Sequence, residues 1–425
     1  MEGLKMWMWG IITVVVVLVV LLAKEMDRSR GSLGVSPCSD LPGIRFGRPG
    51  HIDTNEGFTE LHYRWVEQPD GLAADRRAMR PYLRGAAVCA MSSALVLAGC
   101  PSNDAPVAGS ETSASEGSGS GTVPAYLAVP EPPGDLVDVG GHRLHLYCMG
   151  QGGRTVLLEA GSGDWSLSLR PLQEEVARTT RVCAYDRAGY GWSEPGPAPR
   201  TGERIVAELQ ALLEAAHEPG PYVLAGHSFG GLSMLLFAQA HPEEVAGVVL
   251  IDSSHPHQDK EFAKVPALVA AQQADLAERN AISARLDAGL IDATDALPLA
   301  PEYLPLDLKY QWAALIARPQ TLQASLAEDD AWAETTAQVG GHGSLGDIPL
   351  IVIAAGLGVA EAEPGLTLSP KDAKRVDSIW RSLQKDHLTR STNARLLVAK
   401  NSGHYVYASQ PELVLDAIRD LSATG

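Results

Sequence analysis

The chain has 425 residues, enough for two domains or for one large domain with appended segments. Its composition, 45% apolar and 6% aromatic, is that of an ordinary soluble enzyme. A formal net charge of −17 argues against a nucleic-acid partner and against electrostatic adsorption to anionic lipid.

An apolar run, residues 6–23, dominates the first 78 residues of the chain. It is long enough for a marginal transmembrane helix. Three basic residues closely follow the run and one precedes it, so the positive-inside rule places its C-terminal flank in the cytoplasm. Residues 31–78 show no sustained periodicity, and we predict no fold for them.

A second apolar segment, residues 79–99, has the organisation of a secretory signal. It begins at Met79 with two arginines and continues through an apolar stretch, residues 85–97. Its Leu-Ala-Gly-Cys ending resembles the lipobox of bacterial lipoproteins. That resemblance implies cleavage before Cys100 and lipidation of this cysteine, and hence an extracytoplasmic protein anchored to a membrane.

Residues 100–122 contain the lipidation site and a segment rich in Ser and Gly, which predicts a flexible tether. Two explanations remain for a signal that lies inside the chain. Translation begins at Met79 and residues 1–78 are a mis-called extension, or residues 6–23 are a first membrane span with residues 24–85 in the cytoplasm. We favour the first, and both place Cys100 outside the cytoplasm.

From residue 123 to residue 425, strand-like apolar runs alternate with helix-like amphipathic stretches, which predicts an α/β fold. Helices are expected over residues 170–180, residues 205–216 and directly after Ser228. The predicted strands cover residues 136–139, 144–148, 155–159, 181–185, 222–225, 245–251, 348–354 and 395–399.

The fifth predicted strand runs directly into Gly-His-Ser-Phe-Gly, residues 226–230, and then into a helix. Strand, G-x-S-x-G and helix in this order are typical of a nucleophile elbow. Glycines are needed there because side chains at positions 226 and 230 would collide with the neighbouring turn. Ser228 is therefore the candidate nucleophile, and it needs a base within hydrogen-bond reach because a free hydroxyl barely ionises at neutral pH.

Three segments together carry a resemblance to a known family: Gly226-His-Ser-Phe-Gly230, Asp186-Arg-Ala-Gly-Tyr-Gly-Trp-Ser193 and Ser402-Gly-His404. Over roughly 300 residues the chain resembles the serine-type α/β-hydrolases. The resemblance implies a mostly parallel sheet flanked by helices, with a helical lid inserted between two strands. Relatives that hydrolyse epoxides or haloalkanes use an aspartate nucleophile, so Ser228 argues against those activities.

The resemblance assigns the base to His404, which follows the last predicted strand. In most relatives the acid follows the strand that corresponds to residues 348–354, but this segment contains Glu361 and Glu363 and no aspartate. A subset, including dehalogenase-like members, places the acid one strand earlier, where Asp252 ends residues 245–251. Asp252 is the predicted acid, and Glu361 and Glu363 are the alternatives. Among the other histidines, His227 is interpreted as packed, and His217 and His241 as helix-end residues whose positive charge suits the dipole. His255 and His257 follow Asp252 and are interpreted as substrate-side or structural groups.

The oxyanion hole needs two backbone N–H groups that point at the developing charge. Phe229, directly after the nucleophile, supplies one. By position Ser162 supplies the other, although Ala160-Gly161 replaces the His-Gly of many relatives and leaves Gly161 or Gly163 as alternatives. Asp186 and Arg187 are interpreted as the scaffold of a tight loop, with Asp186 bonding its own backbone.

Residues 253–346 form a long, Ala-rich insertion between two strands, which is typical of a lid. If its apolar residues line its underside, the substrate is apolar or acyl-type; packing of the insertion on itself is the equal alternative. The residues concerned are Leu304, Tyr310, Trp312, Leu315 and Ile316.

The α/β region contains two cysteines, Cys148 and Cys183, on strands that are neighbours in this type of fold, which makes them a candidate disulfide outside the cytoplasm. No metal-ligand spacing or phosphate loop occurs, and we expect no cofactor and no metal. The sequence thus predicts a serine hydrolase that cleaves a small ester through an acyl-enzyme. A non-catalytic binding protein of the same fold and an acyltransferase are the alternatives, and the oligomeric state stays open.

Overall fold

The computed structural model describes residues 124–341, 343–359 and 366–423. The predictions for residues 1–123, including the apolar run, the signal segment and Cys100, lie outside this part of the chain, as do Glu361 and Glu363. Among the helices that are described, none is both long enough and apolar enough to cross a membrane.

A sheet of eight strands forms the centre of the described part, in the order β1-β2-β4-β3-β5-β6-β7-β8. Strands β1, β2 and β4 pair antiparallel, and all other pairs are parallel. Each strand lies within two residues of its predicted position. The strands are β1 Asp135–Asp138, β2 Arg143–Met149, β3 Val156–Glu159, β4 Val182–Tyr185, β5 Tyr222–His227, β6 Val245–Ile251, β7 Leu350–Ala355 and β8 Ala394–Ala399.

Helices cover both faces of the sheet, which explains why its central strands are continuous apolar runs. Alternate residues of each strand enter opposite core clusters: Leu224 of β5 belongs to one cluster, whereas Val223 and Ala225 belong to the other. The α/β fold predicted from the sequence is confirmed. The α-helices are α1 Arg170–Val176, α2 Gly202–Ala215, α3 Phe229–Ala240, α4 Gln258–Phe262, α5 Pro266–Asp287, α6 Ala293–Ala296, α7 Leu306–Ile316, α8 Pro319–Asp330, α9 Trp332–Gly341, α10 Pro370–Asp386, α11 Val406–Ser409 and α12 Pro411–Ser422.

Helix α1 ends earlier than predicted, at Val176 rather than at residue 180. The Thr180 hydroxyl donates to the backbone carbonyls of Gly152 and Arg154, each at 2.9 Å. The backbone N–H of Arg181 also donates to the Gly152 carbonyl, at 3.0 Å, so the chain joins the segment that enters β3 before β4 begins.

A disulfide joins Cys148 of β2 to Cys183 of β4. The two residues are directly opposite each other in the antiparallel register of these strands. The bond therefore links the antiparallel edge of the sheet to its parallel part.

Six helices, α4 to α9, connect β6 to β7 on the edge where the parallel strands end. Prolines begin two of them, α5 at Pro266 and α8 at Pro319, since the first turn of a helix needs no N–H donor there. This connection is called the insertion below. It places its helices beside the carboxyl ends of the strands, where open α/β sheets bind ligands.

Candidate active site

Ser228 lies between β5 and α3 with φ of 52° and ψ of −120°, a conformation that costs a non-glycine residue free energy. The turn leaves no room for side chains at positions 226 and 230, on either side of Ser228. A Cβ on Gly226 would lie 2.4 Å from the Gly230 carbonyl oxygen, and one on Gly230 would lie 2.6 Å from that of Ala160. The sequence therefore folds here into the predicted strand–turn–helix, with Ser228 at its apex.

The predicted base and acid meet across two neighbouring loops. His404 Nδ1 lies 2.7 Å from Asp252 Oδ2. Asp252, with φ of 41°, follows β6 and is buried, whereas the His404 side chain is 27% exposed.

Two further donors fix the Asp252 carboxylate. The backbone N–H of Ala355 and the indole Nε1–H of Trp380 donate to Oδ1 at 2.8 and 3.0 Å. A carboxylate that accepts several hydrogen bonds is held in one orientation. No sequence pattern pointed to Trp380, which lies on α10, far along the chain from residue 252.

His227 supports the loop that carries the predicted base. Its Nε2–H donates to the backbone carbonyl of His404 at 3.0 Å, and the two rings lie 4.5 Å apart. Burial, reinforced by the neighbouring His404, lowers the pKa of His227 well below its usual range. It is neutral and packed, as predicted for a structural histidine.

Ser228, Asp252 and His404 line one cavity of about 340 Å³. Its walls are mainly apolar and come from the insertion, from the segment after β7 and from α10. They include Phe262, Leu268, Leu357, Val359, Val376 and Trp380. A cavity of this size accommodates a small organic molecule.

The loop after β3, residues 160–163, lies against the elbow. A Cβ on Gly161 would come within 3.1 Å of the Ser228 Cβ, so the loop approaches Ser228 closely. Phe229 is the first residue of α3, where backbone N–H groups have no partner inside the helix. Gly163 donates its N–H to the Tyr190 hydroxyl at 3.2 Å, which leaves Ser162 and Gly161 as candidates for the second donor.

Comparison with known proteins agrees with this geometry. A family model described as "Alpha/beta hydrolase family" matches residues 152–417. The chain belongs to the alpha/beta hydrolase family.

Two relatives and one solved structure illustrate the range of this family. The uncharacterized protein YqjL of Bacillus subtilis is 25% identical over 272 residues, which are 64% of this chain and 85% of that protein. A putative carbamate hydrolase, RutD of Azorhizobium caulinodans, is 33% identical over 100 residues, 24% of this chain and 37% of that protein. An epoxide hydrolase mutant from Vigna radiata has 17% identity and a TM-score of 0.52, with 68% of this chain and 98% of that one covered. At this identity the structural likeness shows the fold alone.

Several histidines of this hydrolase lie outside the Ser228 cavity. His255 is buried behind Asp252, donates from Nε2 to Asp386 Oδ2 at 3.0 Å, and accepts the His257 N–H at 3.1 Å. Burial lowers the pKa of His255 to about 4. Ligand atoms of His255, His257 and Asp386 lie within 4.8 Å of one another, but both ring nitrogens of His255 are already used. His217 and His241 follow helices α2 and α3.

The apolar residues expected to line the underside of the insertion do not line the cavity. Leu304 and Leu315 pack with Trp165 and Tyr190, and Trp312 and Ile316 lie against the same cluster. Tyr310 packs into another cluster. Leu304, Leu315, Trp312 and Ile316 thus hold the insertion to loops of the main body, whereas Tyr310 packs mainly against other residues of the insertion. The cavity wall from the insertion consists instead of Gln258, Phe262, Leu268 and Gln272.

Sequence reasoning missed a buried cluster of charges beside the loop after β3. Arg187 is 3% exposed and lies between Glu328 of α8 and Glu159 of β3. Burial opposes the charged form of Arg187, but Glu328, Tyr190 and Glu159 together outweigh it and raise the pKa of the guanidinium well above its usual value. Burial also raises the pKa of Glu159 to about 7. Arg187 is thus a permanent cation in the interior.

Proposed function

We propose that this alpha/beta hydrolase family member is a serine hydrolase that cleaves a carboxylic ester through an acyl-enzyme. One observation carries the proposal: a serine held in a strained turn opens onto the same cavity as a histidine bonded to a buried aspartate. Strain at such a turn is a common property of reactive sites. An inert turn between two core elements does not need this arrangement.

In the proposed mechanism Ser228 Oγ attacks the carbonyl carbon of the ester. His404 Nε2 takes the hydroxyl proton, and Asp252 holds the ring in the correct tautomer and stabilises the imidazolium that forms. The N–H of Phe229 and a second N–H from the loop of residues 160–163 stabilise the oxyanion. The alcohol leaves with the proton from His404, and water then hydrolyses the acyl-enzyme by the same route.

The cavity favours a small and partly apolar substrate. Phe262 and Leu268 from the insertion line it together with Leu357, Val359 and Val376 from the main body. We infer that the insertion is the lid of this site, because it supplies one wall and limits the access of water to the acyl-enzyme. A carbamate or amide would need the same residues, and the ester preference rests on the accessible serine and the size of the cavity.

Labelling with a fluorophosphonate tests the proposal without knowledge of the substrate. Ser228 Oγ forms a bond to phosphorus, fluoride leaves, and the hydroxyl proton passes to His404. In the purified full chain we expect one adduct by intact mass, located at Ser228 by peptide mapping. Ser228→Ala should give no adduct and should lower ester hydrolysis by about 10⁶-fold.

Ser253→Ala is a suitable control because Ser253 is a neighbouring buried serine whose hydroxyl bonds only backbone carbonyls in the described structure. It should label like the parent. A folded parent that takes no adduct contradicts the proposal and favours a non-catalytic binding protein of the same fold.

We also propose that the hydrolase acts outside the cytoplasm, anchored through a lipid on Cys100. The lipobox-like sequence before Cys100 supports the anchor. The disulfide between Cys148 and Cys183 supports an oxidising compartment, where such bonds persist. In a bacterial host fed an alkyne fatty acid, the parent and the control Cys89→Ser should incorporate the label, and Cys100→Ser should not. An unlabelled parent would contradict the anchor.

A further inference from the structure

The Arg187 guanidinium donates hydrogen bonds to the backbone of the loop after β3. Its Nη1 donates to the Ala160 carbonyl and its Nη2 to the Gly161 carbonyl, both at 2.8 Å. A peptide unit is planar and trans, so its C=O and N–H point in opposite directions. By holding these two carbonyls, Arg187 directs the N–H groups of Gly161 and Ser162 away from itself. These are the two remaining candidates for the second oxyanion donor.

A carboxylate from the insertion holds Arg187 in turn. Glu328 of α8 accepts from Arg187 Nε at 2.6 Å and from Nη2 at 3.1 Å. Both side chains are 2% exposed. Two parallel bonds between a guanidinium and a carboxylate fix the plane of the guanidinium, which a single charge would not do.

The same carboxylate reaches the far end of the loop through Tyr190. The Tyr190 hydroxyl donates to Glu328 Oε2 at 2.8 Å and accepts the Gly163 N–H at 3.2 Å. Glu328 thus determines the positions of Ala160 and Gly161 through Arg187, and that of Gly163 through Tyr190. Both ends of the loop depend on one residue of the insertion.

We propose that Glu328 is a positioning residue for the oxyanion hole and that the insertion, through this residue, completes the catalytic site of the hydrolase. The inference rests on the proposed serine-hydrolase function. Oxyanion stabilisation depends on donors that are oriented before the reaction begins. An insertion that only covered the cavity would have no need of a buried ion pair to the loop on the other side of the nucleophile.

Glu328→Gln tests this directly in the full chain, because it keeps the size of the side chain and removes its charge. With a 4-nitrophenyl ester we expect kcat to fall by about 10²-fold, the scale of one oxyanion donor, while KM changes by less than about threefold. A trifluoromethyl ketone, which forms a tetrahedral adduct with the serine, should lose affinity by the same factor as kcat/KM. The matching methyl ketone, measured as a competitive inhibitor that mimics the bound ester, should keep its affinity.

Glu208→Gln is the matched control. Glu208 forms a buried two-bond ion pair with Arg200, both bonds at 2.6 Å, away from the loop of residues 160–163. This variant should lose stability without loss of kcat per folded molecule. An equal fall of kcat in Glu208→Gln and Glu328→Gln would show a general loss of structure and would overturn the inference.

Tyr190→Phe provides a second test of the positioning role, and it replaces the first test if Glu328→Gln does not fold. It removes the hydroxyl between Glu328 and Gly163, and we expect a fall in kcat of about tenfold with the same pattern of inhibitor affinities. Folded variants with parental kcat and parental affinity for the trifluoromethyl ketone would refute the positioning role. A parent that is not labelled by the fluorophosphonate would instead refute the proposed function, so the two failures are distinguishable.

Discussion

Two histidine–aspartate pairs in this molecule have the same bond and opposite surroundings. His404 Nδ1 meets Asp252 at 2.7 Å, and His145 Nδ1 meets Asp186 at 3.0 Å. The first pair follows β6 and β8 at the edge where the parallel strands end. The second joins β2 to the loop after β4, at the antiparallel side of the sheet.

The two pairs differ in the surroundings of the histidine ring on the side away from the aspartate. The His145–Asp186 pair is fully buried, the Trp192 ring lies 4.8 Å from the imidazole, and His145 Nε2 has no hydrogen-bond partner among the described residues. His404, by contrast, borders a cavity that also contains Ser228. A histidine–aspartate bond is therefore no evidence of catalysis in itself, and access to a cavity shared with Ser228 distinguishes the two pairs.

Replacing Asp252 and, in a separate variant, Asp186 by asparagine gives the sharpest test of this comparison. We expect Asp252→Asn to lower kcat by about 10⁴-fold, since the amide favours the wrong tautomer of His404. Its thermal stability should change much less than that of Asp186→Asn. Steady-state kinetics and thermal melts on both purified variants measure this, and equal activity losses would contradict the distinction.

Asp186→Asn should lower stability by about 3–5 kcal/mol, because it breaks a buried pair and weakens the bonds to Ser166 and Trp192. Burial alone raises the pKa of Asp186, but the charge of His145 and the hydrogen bonds outweigh it and lower the pKa overall. A lowered carboxyl pKa contributes stability above its unfolded value, near 3.8, that is lost as the pH falls through the folded value. The difference in unfolding free energy between the parent and Asp186→Asn should therefore become smaller as the pH falls. A difference that grows in acid would contradict the lowered pKa of Asp186.

A smaller effect is expected at the donors around Asp252. Trp380→Phe removes the indole N–H that lies 3.0 Å from Asp252 Oδ1 and keeps a ring in the cavity wall. With Ala355 and His404 still bonded to the carboxylate, kcat should fall by about tenfold. As a control, Phe262→Leu changes the stacked neighbour of Trp380 and should alter KM more than kcat. A Trp380→Phe variant with parental kcat would show that the indole serves only as a wall.

Most of the fold could be predicted because its signals are local. Eight apolar runs gave the eight strands, and the glycines at 226 and 230 identified the elbow. The resemblance to a known family indicated which segments of the chain supply the candidate site residues. The lack of an aspartate after the seventh strand led to Asp252 as the predicted acid. Asp252 and His404 are 152 positions apart in the chain, and the fold brings their side chains into contact.

The sequence by itself determined which segments are strands and helices, because hydrophobic periodicity and backbone sterics act over a few residues. It did not determine that Glu328 would meet Arg187, 141 positions away, or that Trp380 would reach Asp252, 128 positions away. It also left open where Leu304 and its neighbours pack, since apolar residues of a helix pack equally well against any apolar surface. Only the packing of the insertion and of α10 against the rest of the fold decides such contacts, because they depend on the relative positions of elements that no local pattern encodes.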